Sequence, residues 1–108
     1  MNIKWSLGAE RAWNKALHHI YDEFGYRAAV EFRAETKKII NQIRKFPNSG
    51  SPEDLLPIES DYRSILIGQY SKLVYKVLEE EIHIDDVWDT RREPKKQAQN
   101  TMHTNKIK

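Results

Sequence analysis

Two helical registers follow one another almost without a gap, and they constrain everything else the chain can do. Ala9, Ala12, Trp13, Ala16, Leu17, Ile20, Tyr21 and Phe24 recur three and four residues apart. That spacing gathers them on one face of a helix. Ser6 precedes the run and offers a side-chain oxygen to the first free amides. Phe24-Gly25 closes it, because glycine enters left-handed backbone without a steric cost. Ala29, Phe32, Thr36, Ile39, Ile40, Ile43 and Phe46 line a second helix, which Pro47 stops. Arg27, Glu31, Glu35, Lys38 and Lys45 fall on or near its other side, with Arg27 and Glu31 a favourable pair one turn apart. Two long helices with one short turn between them form an antiparallel hairpin whose apolar faces need a cover.

The rest of the sequence supplies that cover. Asn2 to Trp5 alternate polar and apolar, as in a short strand. Residues 47–61, with Pro47, Asn48, Ser49, Gly50, Ser51, Pro52 and Pro57, read as a loop. Three strands follow. They are Tyr62 to Ile67, Tyr70 to Leu78 after a Gly68-Gln69 turn, and Ile82 to Trp88 after Glu79-Glu80-Glu81. In the second of these, Leu73, Tyr75 and Val77 alternate against Val74, Lys76 and Leu78. Simple alternation in the last puts Ile82, Ile84 and Trp88 on one side and His83, Asp85, Val87 and Asp89 on the other. The predicted fold is α+β, in the order β-α-α-β-β-β, with the helical hairpin packed on one face of a small antiparallel sheet.

With 108 residues, one domain is expected, ending near residue 94. Residues 95–108 are polar, basic and without periodicity, and read as a tail that is disordered when alone. The chain has no cysteine and no His-x-x-x-His spacing, so neither a disulfide, a metal site nor a cofactor is expected. No apolar run approaches the ~20 residues needed to span a bilayer. The start lacks the pattern of a signal peptide, so no membrane partner and a cytoplasmic location are expected. The net charge of +2 conceals segregation. Residues 1–45 carry nine basic and five acidic groups, residues 46–89 three and ten, and residues 90–108 six and one. Such asymmetry suits an anionic partner, nucleic acid or an acidic protein segment, as well as a merely solvated surface.

Several fragments, in order, carry a resemblance. They are Trp5 leading into the alanine-periodic helix, IYDEFGYRAAVEF (Ile20 to Phe32), FPNSG (Phe46 to Gly50), YRSILI (Tyr62 to Ile67), YSKLVYKV (Tyr70 to Val77) and VWDTRREP (Val87 to Pro94). Over residues 5–94 the chain resembles the RelE/ParE superfamily of toxins, including members called plasmid stabilisation proteins. The resemblance implies a growth-inhibiting toxin of a type II toxin–antitoxin module, neutralised by a cognate antitoxin that lays an extended or helical segment over it. RelE-like members cleave messenger RNA on the ribosome. ParE-like members inhibit DNA gyrase.

Metal-free RNA cleavage needs a base for the 2′-hydroxyl, cations for the phosphorane and an acid for the leaving oxygen. Carried over residue by residue, the resemblance places Arg63 at one basic position and Ile65 at a second, which is therefore lost. Lys72 falls at the phosphate-clamping position, and Arg91 or Arg92 at the arginine after the last strand. Gln97 stands near the position of an expected tyrosine. Arg63, Lys72, Arg91 and Arg92 are thus candidates for phosphate or target contact, without an evident proton-transfer partner. The purely structural readings are that Arg63 pairs with Asp61 or an acidic strand neighbour across the sheet, that Lys72 and Lys76 are ordinary outward strand residues, and that Arg91 and Arg92 neutralise Asp85, Asp86 and Asp89. His83 is a further candidate base or a solvated strand histidine. His18 and His19, adjacent on a helix, point about 100° apart, and His103 lies in the tail. Trp5, Trp13 and Trp88 read as core. The long hairpin and the missing acid–base groups favour a ParE-like, gyrase-directed toxin over a RelE-like endoribonuclease with a reduced site. Whether the chain is an enzyme stays open, and a non-toxic interaction module is the third reading.

Overall fold

A computed structural model describes residues 1–91 and Thr101. Strand β1 (Asn2–Trp5) leads into helices α1 (Leu7–Phe24) and α2 (Tyr26–Lys45). The two-residue strand β2 (Ser51–Pro52) and a 3-10 turn (Ile58–Ser60) follow, then β3 (Arg63–Ile67), β4 (Ser71–Leu78) and β5 (Glu81–Asp89). The five strands lie in the order β1-β5-β4-β3-β2.

The helix ends form as their residues dictate. The Ser6 hydroxyl accepts the Ala9 amide at 3.0 Å and donates to the Asp85 carbonyl at 3.1 Å, so the cap of α1 is also tied to β5. Gly25 joins the helices at φ 94°, backbone that a side chain resists. Between the helices the rings of Trp13 and Phe32 stack at 5.6 Å. The Trp13 indole N–H donates to the Thr36 hydroxyl at 3.0 Å, and that hydroxyl donates to the Phe32 carbonyl at 2.8 Å. A threonine on an apolar helix face is accounted for by these two bonds.

The hairpin covers one face of the sheet. Phe32, Ile39 and Ile43 from α2 and Ala9 from α1 are buried against Ile67, Leu73, Tyr75, Ile82, Ile84 and Val87. Tyr21, Phe24 and Phe46, predicted on the apolar faces, are instead 53%, 54% and 65% exposed, since the apolar registers outrun the strands beneath them. Phe24 meets Tyr70 there, ring to ring at 6.4 Å.

Two sequence expectations need correction. The sheet is mixed, because β1 runs parallel to β5 while β5, β4, β3 and β2 alternate. Hairpin-linked neighbours must be antiparallel, but β1 and β5 are joined only through the rest of the fold. The second correction lies in β5. Val74 pairs with Asp86 and Tyr75 with Ile84, leaving Asp85 without an opposite residue. This β-bulge inverts the side-chain alternation beyond it. Val87 consequently joins Ile82 and Ile84 under the helices, while Trp88 crosses to the other face beside Leu56, Tyr62 and Val74.

Candidate functional site

The four cations singled out in the sequence do not converge. Arg63 sits opposite Tyr75, which faces the helices. Its Nη1 donates to the Gly50 carbonyl at 2.8 Å and to the Asn48 carbonyl at 3.3 Å. It braces the loop after α2 instead of pairing with Asp61. The Tyr75 hydroxyl completes the brace, accepting the Gly50 amide at 2.9 Å and donating to the Pro47 carbonyl at 2.7 Å.

Lys72 lies on the opposite face, paired with Trp88 across the strands and 5.7 Å from its ring. Its ammonium is 2.7 Å from Oε1 of Glu53, whose side chain is 3% exposed. Burial pushes the Glu53 carboxyl upward. Donors from Lys72, the Leu55 amide and the Ser64 hydroxyl outweigh that, so its pKa ends below the ordinary value.

Arg91 stands at the end of β5. Its guanidinium lies 4.4 Å from the Tyr70 ring centroid, 3.4 Å from Asp89 and 3.6 Å from Glu23. Hydrogen bonding to Asp89, with a further contribution from Glu23, holds its pKa above the ordinary value. Arg92 and most of the predicted tail lie outside the described residues. Thr101 is 2% exposed, and its hydroxyl bonds Asp86 and the Trp88 indole. His83, the other candidate, is 3.1 Å from Glu81, which also holds Lys4 at 3.1 Å.

What the structure brings together instead is a groove between α1 and the outer edge of β5, of about 540 Å³. Its helical wall combines the small residues Gly8, Ala12 and Ala16 with Lys15, His18 and His19 of α1. Strand β1 covers β5 only over Glu81 to Ile84. From Asp85 to Asp89 the outer edge carries no strand among the described residues. Side chains cap it instead, with the Val87 amide donating to Asp86 Oδ1 at 2.8 Å and Ser6 bonding the Asp85 carbonyl. An edge closed by side chains can exchange them for an extended peptide, whose main chain supplies both donors and acceptors. Tyr70 and Arg91 stand at the groove's end.

Sequence reading missed this arrangement. Glu53 sat in a turn-rich stretch, and Asp85 and Asp86 read as carboxylates for Arg91 and Arg92 to neutralise. The available signal was two adjacent carboxylates, Asp85 and Asp86, interrupting the alternation of β5, a pattern that a bulge explains.

The family model for the ParE toxin of the type II toxin–antitoxin system parDE matches residues 3–94. The chain belongs to the ParE toxin family. No curated relative matches it. Among solved structures it is similar to a chain of the chromosomal ParDE toxin–antitoxin system from P. aeruginosa, with a TM-score of 0.68 at 16% identity. That match covers 82% of this chain and 95% of the other, and at such identity it speaks for the fold alone. Helical hairpin, mixed sheet and groove are therefore features of a ParE-family toxin, and a toxin–antitoxin role follows from membership. Among the described residues of this ParE-family chain, no helix is long and apolar enough to cross a membrane.

Proposed function

We propose that this ParE-family chain inhibits DNA gyrase by binding it, without catalysis, and is neutralised in the cytoplasm by an antitoxin whose extended segment occupies the groove along β5. One observation carries the non-catalytic reading. Arg63, Lys72 and Arg91 are each engaged by the chain's own carbonyls or carboxylates, and Arg63 and Lys72 face opposite sides of the sheet. A phosphorane needs cations aimed at one point in a preorganised site, and cations already occupied elsewhere supply none. The domain is taken to end near residue 94, with the basic tail as an appendage.

Induction of the chain in bacterial cells tests the reading. Intact transcripts, DNA damage and loss of supercoiling by purified gyrase are expected. Codon-phased transcript ends would establish the RelE-like endoribonuclease instead, and harmless expression would establish an interaction module. The adjacent gene is expected to encode a small acidic protein that restores growth when expressed together with the toxin.

A further inference from the structure

The outward face of α2 has no role in the reading above, and its charge is one-sided. At about 100° per residue, Arg33, Arg44, Lys37, Lys45, Arg27 and Lys38 fall within an arc of about 140°. This arc lies away from the buried Phe32, Ile39 and Ile43. All six cations are exposed. The ion pairs among the described residues use Lys4, His19, Lys72, His83 and Arg91, and none of these six. Val30, Ala34 and Asn41 lie between them, and no carboxylate falls inside the arc. Glu31 and Glu35 run along one border. Like charges crowded on one helix face destabilise it modestly, and only Arg44 and Lys45, in the last turn, gain from the helix dipole.

We propose that this face of α2 seats in the major groove of duplex DNA and contacts phosphates of both strands without reading sequence. The dimensions agree. The helix has 20 residues, a rod about 30 Å long. Its diameter of about 10–12 Å matches the roughly 12 Å width of the B-form major groove. Arg33 and Lys38, at the two borders of the arc, then reach opposite walls. The deep, narrow major groove of A-form RNA does not admit such a rod. Three of the six are arginines, whose planar forks bind phosphate oxygens in pairs. An acidic protein is the poorer fit, because a protein interface needs an apolar centre and this face offers only Val30 and, at its end, Tyr26.

Fluorescence anisotropy of the full chain with a labelled random-sequence DNA duplex, across a salt series, tests the proposal. If all six cations engage, log K falls against log salt with a slope of about −5. The variant K37Q/R44Q should reduce that slope by about 1.8 and weaken low-salt binding on the order of tenfold. A second pair, K38Q/K45Q, should act alike. The variant K4Q/R11Q, which removes two charges elsewhere, should leave the slope near its parent value. The proposal is overturned by absence of duplex binding in low salt, or by equal losses in the control variant. Equally tight binding of duplex RNA or of polyglutamate would overturn it too, the last assigning the face to an acidic protein.

Discussion

The two faces of the sheet are held by different physics. Under the helices, Leu73, Tyr75, Ile82 and Ile84 are all 0% exposed and pack against aliphatic and aromatic neighbours. On the other face the apolar cluster is small, Leu56, Tyr62, Val74 and Trp88, and hydrogen-bonded acids ring it. Glu53 takes Lys72, Ser64 and the Leu55 amide, and Asp85 takes the Tyr62 hydroxyl at 2.7 Å. Asp86 takes Thr101, the Trp88 indole and the Val87 amide. Apolar packing is non-directional and proportional to area. A buried polar network is all-or-nothing, since removing one member strands the others. The first face should therefore respond to lost volume, and the second to broken pairs and to pH.

The largest effect is expected at the helix-covered face. Ile84→Ala should cost about 3 kcal/mol in denaturant unfolding, combining lost transfer energy with a cavity. A cost below about 1 kcal/mol would mean that this face is not the main core. On the other face, Glu53→Ala should cost about 2 kcal/mol, because it leaves a half-buried ammonium and a buried hydroxyl without their acceptor. The double replacement E53L/K72M should recover part of that loss by removing the stranded ammonium, while the Ser64 hydroxyl and the Leu55 amide still lack their acceptor. Additive losses in that cycle would erase the distinction between the faces. Tyr62→Phe should cost about 1 kcal/mol through the bond to Asp85, and no change at all would make Tyr62 simply apolar filling.

The smallest effect is the pH dependence, and its two parts oppose one another. Glu53 titrates below its ordinary 4.5 in the folded chain, so its contribution is whole above that value and lost as pH falls through the depressed one. Burial raises Asp86 above its ordinary 3.8, against the donors around it, so the folded state favours its protonated form and regains stability as pH falls through the raised value. Glu53→Gln should therefore flatten the acid-side loss of stability, and Asp86→Asn should steepen it. Each change should be smaller than the losses above, read from denaturant midpoints between neutral and acid pH. Identical acid limbs in both variants would place the pH response outside this face.

The sequence by itself determined the hairpin and the existence of β1, β3, β4 and β5, because hydrophobic period, Ser6, Gly25 and Pro47 act over a few residues. It also pointed to the family, through fragments that lie within residues 3–94, the stretch the family model matches. Strand ends moved by a residue or so, and the two-residue β2 was invisible because only its pairing with β3 defines it.

Only the tertiary structure decided which way β5 faces beyond Asp85, since a bulge depends on the register of two strands and not on the composition of one. It likewise decided what the candidate cations do. Arg63, Lys72 and Arg91 were legible as charges, but each one's meaning lay in acceptors 2 to 68 residues away in sequence. A charge acts on whatever space brings near it, and the chain alone does not state that distance.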